Sequence, residues 1–364
     1  MYPILLLLRR PRRSYSSALE SQFEWPSVSI IIPVYNAAGI VAEKIRSALS
    51  LEYENGLVDV LVVSDGSTDK TDHIVESFAD RGVRLVRTGA RKGKELAQKV
   101  AIAECNGEVI VFTDVGTMTP PESLRLLVAK LGDQEVCATS SEDRFVSADG
   151  KPMGEGAYVR YEMWLRRLES ERATLVGLSG SYFAARREIC DDWNTNVPSD
   201  FNVAIECARN GKRAVSVTGA HGIYRDVANP SNEYKRKVRT IVRGMQGLLQ
   251  KRAILNPFRY GFFSIQLLSH KIMRWATPWG LIMVLLASGL LAGQSSLFFY
   301  IFWLQAGMYA LAMLPIVVPA LKRITLLRLF NYVVTVNIAI LHASVLILLG
   351  RHMITWEPTE RQSS

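Results

Sequence analysis

The sequence predicts an α/β domain on a mostly parallel sheet, followed by an interfacial helix and about three transmembrane helices. Three observations predict it. From Trp25 to about Gly222, short apolar runs alternate with stretches of helical spacing, the pattern of strands joined by crossover helices. Charges crowd residues 9–252, whereas residues 276–350 carry only Lys322, Arg323 and Arg328, as expected of a soluble unit joined to a membrane region. The length of 364 residues also exceeds what one hydrophobic core usually organises.

Each element follows from local chemistry. Val28–Ile32 reads as a buried strand ended by Pro33, with Val58–Val63 and Val109–Phe112 as the next two. Residues 37–51 have helical spacing. Ser67 is placed to cap a helix that runs to about Asp80 and stops at Gly82. Thr119-Pro-Pro-Glu122 has the form of a capping box with proline in the first turn. A further helix is expected from Ser199 to Asn210-Gly211. Residues 258–275 mix aromatics with His270, Lys271 and Arg274, which suits a helix lying in the membrane interface. Three apolar stretches follow at about 278–293, 297–321 and 330–349. These signals divide the chain into an N-terminal tail (1–25), an α/β domain (26–255), a membrane region (256–352) and a C-terminal tail (353–364). Of the two turns between apolar stretches, only the one with Lys322, Arg323 and Arg328 is basic, which assigns it to the cytoplasm. Three crossings would then leave the α/β domain cytoplasmic and the C-terminus outside.

The net charge of +9 is accompanied by no helix-turn-helix, zinc or RNA-binding signature, so nucleic acid is excluded as a partner. Anionic lipids and anionic substrates explain the charge. Cys105, Cys137, Cys190 and Cys207 are widely spaced and read as four reduced structural thiols. Residues 4–8 are apolar and precede Arg9, Arg10, Arg12 and Arg13; this is too short for a span and reads as a disordered or membrane-touching tail.

In an open α/β sheet, ligands collect beyond the carboxyl ends of the strands. Three such ends stand out: Pro33-Val34-Tyr35-Asn36, Ser64-Asp65-Gly66-Ser67-Thr68-Asp69 and Thr113-Asp114-Val115-Gly116. Each alone also reads as turn or capping chemistry. There is no GxGxxG to support a dinucleotide site.

Taken in order, Ser29–Asn36, Val62–Asp69, Arg91–Lys94 and Val111–Asp114 resemble the consecutive nucleotide-sugar motifs of family 2 glycosyltransferases. Gly177–Arg187 is similar to that family's acceptor-side loop, Pro198–Phe201 to the segment holding its catalytic aspartate, and Tyr234–Arg239 occupies the place of its QxxRW motif. The resemblance covers roughly residues 27–245 and implies a GT-A, Rossmann-like catalytic domain of the membrane-bound, polysaccharide-synthesising branch. It implies that Pro33, Tyr35, Asn36, Asp65, Lys94, Asp114, Arg236 and Arg239 bind the nucleotide-sugar donor. By the same resemblance Gly180 and Ser181 form the acceptor loop, Asp114 holds Mg²⁺ or Mn²⁺, and Asp200 is the general base. The chain departs from the pattern at Gly116, where a second carboxylate is usual, so that His221 is a candidate replacement ligand. It departs again at Arg236 and Thr240, which stand for the motif's glutamine and tryptophan. Asp191 and Asp192 rival Asp200 as the base. The expected function is inverting transfer of a sugar from a nucleoside diphosphate to a lipid-linked or polysaccharide acceptor. A processive polysaccharide synthase and an inactive nucleotide-sugar-binding membrane partner are the alternatives. Expected partners are membrane lipids and an oligomer or polysaccharide-assembly proteins. The expected location is a bacterial inner or plasma membrane.

Overall fold

The computed structural model describes residues 2–11, 24–54, 56–146, 157–225 and 230–351. Among these residues there are seven strands: β1 (Val28–Val34), β2 (Val58–Ser64), β3 (Val83–Arg87), β4 (Val109–Thr113), β5 (Val136–Val146), β6 (Tyr182–Arg186) and β7 (Arg213–Arg225). They form one mixed sheet in the order β3-β2-β1-β4-β6-β5-β7. The first four run parallel, β6 is antiparallel to both β4 and β5, and β5 pairs parallel with β7.

β1 and β2 are apolar on both faces because helices cover both faces. On one side, Ile30, Ile32, Val60 and Val62 pack with α2 (Val41–Leu49), α3 (Thr71–Glu76) and α5 (Ser123–Ala129). On the other, Ile31, Leu61 and Phe112 pack with α4 (Lys94–Glu104) and α7 (Ser199–Arg209). Phe112 is stacked between Phe183 and Trp193, with ring centroids 4.8 and 4.9 Å away.

The structure departs from the sequence pattern at several points. Pro33 does not end β1, which continues to Val34. Val34 O accepts Asp65 N–H on the β2 side, so the alternate residue Pro33 turns its missing donor toward β4. Pairing with β4 ends at Ile31–Phe112, so no ladder bond is lost there. The capping box at Thr119 does not form: α5 starts at Ser123, and the Thr119 hydroxyl is buried without a partner. Ser67 caps no helix either, since α3 starts at Thr71 and the Ser67 hydroxyl instead accepts Asn36 N–H. The Gly82 stop is present, with φ 80°, but it closes a short 3-10 turn and leads into β3. The expectation of four separate thiols is corrected at one pair. Cys137 on β5 and Cys207 on α7 form a disulfide with Cα atoms 6.2 Å apart, while Cys105 and Cys190 are free and buried.

The chain divides into two units, the first containing Met1–Asn229 and Arg243–Leu267, the second Pro230–Val242 and Leu268–Met353. The N-terminal tail contributes a helix, α1 (Tyr2–Leu7), to the first unit. Tyr2 and Leu6 are buried against α6 (Ala157–Arg172), with the Tyr2 hydroxyl donating to Glu169 at 2.5 Å. The amphipathic α8 (Pro230–Gln250) is shared between the units. In the first unit its Arg243 pairs with the buried Glu95, and Lys251, just past its end, pairs with the buried Glu206. Short helices α9 (Pro257–Tyr260) and α10 (Phe262–Leu267) follow.

The expected interfacial helix is not separate from the first apolar stretch. α10 passes through a π-helical turn (Leu268–Ile272) into α11 (Met273–Leu291). Among the described residues, three helices have a length and composition that suit a membrane span: Phe262–Leu291, α12 (Ser296–Val317) and α13 (Thr325–Leu348). Gln305, a polar side chain within α12, is satisfied by the Leu281 carbonyl at 2.8 Å and the Tyr309 hydroxyl at 2.7 Å.

Candidate active site

The carboxyl ends of β1, β2 and β4 converge, as the parallel pairing requires. Two loops there are locked to each other. Asn36, at φ 44°, accepts Thr68 N–H at 2.8 Å through its side chain. Asp69 accepts Ala38 N–H at 3.1 Å and Thr71 N–H at 3.0 Å. Burial works against the Asp69 charge, but a hydrogen bond from the Thr71 hydroxyl and these backbone ones prevail and hold its pKa below the usual carboxylate value.

Asp65 is almost fully buried, and its carboxylate clamps the following loop. It accepts Lys92 N–H at 2.9 Å, Gly93 N–H at 2.7 Å and the Thr88 hydroxyl at 3.1 Å. A carboxylate offers about four acceptor positions, so room for one more donor remains. The clamp brings Arg91 over the Tyr35 ring, with its guanidinium carbon 4.1 Å from the ring centroid. Gly66 is what lets this loop close. At φ 70°, a Cβ there would lie 2.7 Å from Arg91 N.

Lys94, at the start of α4, donates to Asp114 Oδ1 at 2.5 Å and to the Gly180 carbonyl at 2.9 Å. Burial disfavours its charge, but Asp114, Glu95 and Asp200 together raise its pKa above the ordinary lysine value. Asp114 N–H donates to Ser181 O at 3.0 Å, tying the end of β4 to the same peptide. Asp200, in the first turn of α7, lies on the other side of that peptide: a Cβ on Gly180 would sit 3.5 Å from its carboxylate. Asp114, Lys94, Gly180, Ser181 and Asp200 are therefore one constellation, drawn from four separate stretches of sequence.

Two contributors were not singled out from sequence. Lys44 on α2 is fully buried and donates to the Thr113 hydroxyl at 2.7 Å and the Thr117 carbonyl at 2.5 Å, bracketing Asp114–Gly116. Burial pushes its pKa down to about 7, with Asp114 pulling the other way. On an amphipathic helix a lysine normally signals a solvated face, so the sequence held no cue. Asp143 on β5 accepts from the hydroxyls of Ser179 and Ser181, the latter at 3.0 Å. It thereby orders the Ser179–Ser181 loop from within a strand whose sequence is unremarkable.

His221 faces Glu142, 3.9 Å away, and burial followed by nearby Arg144 lowers its pKa. Among the described residues no group of three His, Cys, Asp or Glu side chains could hold a metal. Asp191 and Asp192 line a surface cleft with Glu188, Arg209 and Arg259. Arg236 and Arg239 lie on the second-unit portion of α8.

Residues 29–193 match the sequence profile of Glycosyl transferase family 2. The chain carries a family 2 glycosyltransferase domain. It is 30% identical over 137 residues to the probable glycosyltransferase YdaM of Bacillus subtilis, a match covering 35% of this chain and 32% of the relative. It is 25% identical over 204 residues to the beta-monoglucosyldiacylglycerol synthase of Trichormus variabilis, covering 54% of this chain and 43% of that one. The chain thus spans less than half the length of these relatives. The mannosyltransferase PcManGT from Pyrobaculum calidifontis, solved in complex with GDP-Man and Mn²⁺, superposes with a TM-score of 0.71 over 96% of both chains at 22% identity. That likeness shows the fold, a GT-A domain with apolar C-terminal helices.

Proposed function

We propose that this glycosyltransferase is an integral membrane enzyme that transfers a sugar, with inversion, from a nucleoside-diphosphate sugar to a lipid-linked or polysaccharide acceptor. The observation that carries the reading is the gathering of Asp114, Lys94 and Asp200 around the Gly180–Ser181 peptide. Asp200 takes the proton from the acceptor hydroxyl as its oxygen attacks the anomeric carbon. It lies in the first turn of α7. Tyr35, Asn36 and the Arg91 loop held by Asp65 receive the base and ribose, with Pro33 shaping the end of β1. Lys94 turns its ammonium to the diphosphate.

The residues present fit a hard divalent cation held through one protein carboxylate. Asp114 reaches the mouth of the site, and Mg²⁺ or Mn²⁺ commonly takes one or two carboxylates, phosphate oxygens and water. Bound there, the ion would stabilise the charge of the departing nucleoside diphosphate. PcManGT is solved with Mn²⁺ and GDP-Man, and the Trichormus relative is named for a diacylglycerol product. These names support a metal, a nucleotide-sugar donor and a lipid acceptor. The positive-inside rule supports a cytoplasmic catalytic domain reached from the α/β stretch 26–255.

The test is nucleotide release in detergent, with and without chelator, in wild type, Asp200→Asn and Asp114→Ala. Asp200→Asn is expected to bind donor normally and turn over about a hundredfold more slowly or worse. Asp114→Ala is expected to lose metal-dependent donor affinity. Wild-type turnover in Asp200→Asn would place the base elsewhere, and full turnover in chelator would remove the metal.

A further inference from the structure

Within the second unit, α8 crosses α13 near its middle and C-terminal half. Val238 and Val242 of α8 are buried with Ala339, Ala343 and Leu346 of α13. The Tyr234 hydroxyl lies 3.2 Å from His342 Nδ1, and the Lys237 ammonium sits 5.0 Å from the centroid of the Tyr332 ring. The turns of α8 that make these contacts carry Lys235, Arg236, Lys237 and Arg239, with Lys235 exposed.

These contacts conflict with α13 as a plain crossing from Thr325 on one side to Leu348 on the other. A helix of 24 residues is about 36 Å long, against a hydrocarbon core of about 30 Å. In such a crossing Ala339 would lie just past the bilayer centre, and Leu346 about 14 Å past it. The four basic residues of α8 would be carried to that depth, where lysine and arginine are the least tolerated side chains. α13 is itself suited to a wet boundary on this side, since His342 takes a tyrosine partner from α8 instead of a partner in a neighbouring span.

We infer that the α8–α13 crossing lies at the lipid headgroup level, with the exposed Lys235 and its basic neighbours facing lipid phosphates. The end of α13 then emerges on the same side of the bilayer as those residues. The three candidate helices cross an even number of times, and the expectation of an external C-terminus is replaced. This rests on the membrane-bound reading of the chain, which its own control checks.

The experiment uses the full chain with one added cysteine, Lys235→Cys or Ser364→Cys, labelled by a membrane-impermeant maleimide in intact and permeabilised cells. The free native cysteines are buried, so wild type is the blank. Both positions are expected to show the same pattern, whichever side it reports. Opposite patterns would overturn the inference. Should Lys235→Cys misfold, Thr240→Cys on an exposed position of α8 repeats the comparison. A C-terminal fluorescent-protein or phosphatase reporter reads the tail independently. Release of the protein by alkaline carbonate would instead remove the membrane reading itself, and the inference with it.

Discussion

Lys44 places a charge where a protein seldom keeps one, sealed between α2 and the end of β4. Its two acceptors, the Thr113 hydroxyl and the Thr117 carbonyl, hold both flanks of the Asp114 turn. An unfolded lysine titrates near 10.5, whereas burial brings the folded group to about 7. Between those values the unfolded chain binds a proton that the folded chain does not, so the Lys44 contribution to stability rises with pH. The destabilisation is therefore full below about pH 7 and vanishes above about 10.5. Lys44→Met removes the charge while filling the space. The stability difference between variant and wild type is expected to change across this window by up to about 1.4 kcal/mol per pH unit, always shifting toward wild type as pH rises. Thermal unfolding from pH 6.5 to 9.5 measures it. A difference that stays constant would mean that Lys44 does not titrate in this window.

Among the elements, the Gly66 turn and the loop packed over it show what was legible in the sequence and what was not. The alternation of Val58–Val63 and the Asp65-Gly66-Ser67 turn announced a strand and its end, and both are present. The closure of residues 88–93 over Gly66 could not be read, because the contact joins backbone atoms distant in sequence and leaves no side-chain pattern. β3 leaves little signal for a related reason: Arg84, half-buried, and Arg87, exposed, lie at the sheet edge and break the apolar run. Thr119 misled because local capping chemistry yielded to burial of its hydroxyl. Asp114 and Asp200 were legible as residues, but their meeting across Gly180 is a tertiary fact. Gly66→Ala tests the loop. It places a methyl at backbone distance in a left-handed conformation, which typically costs about 1–2 kcal/mol. A lower melting temperature and donor binding weakened about tenfold are expected, because the Tyr35–Arg91 stack depends on the closed loop. Calorimetric titration with the nucleotide-sugar donor gives the second number, and unchanged affinity would separate the loop from the donor site.

At the scale of the whole molecule, the catalytic unit does not end where its α/β pattern fades near Gly222. Arg243–Leu267 returns to it, and three polar contacts explain why the return matters. Arg243 neutralises Glu95 and Lys251 neutralises Glu206, two carboxylates almost wholly buried. The Gln266 amide donates to the Thr174 carbonyl at 2.9 Å and to the Tyr2 hydroxyl at 3.0 Å, closing a buried network that includes Glu169. A chain cut after Asn229 keeps every strand of the sheet yet strands Glu95 without its cation. Arg209 still neighbours Glu206, so that site is only half undone. Removing one partner from a buried ion pair costs about 3–5 kcal/mol, a large part of the 5–15 kcal/mol that stabilises a typical domain. A chain ending at Asn229 is therefore expected to aggregate or to unfold without a cooperative transition. One ending at Leu267 retains all three contacts and should unfold cooperatively. Circular dichroism on heating, together with gel filtration, distinguishes them. A chain cut after Asn229 that melts as sharply as the longer one would show that these contacts do not hold the unit together.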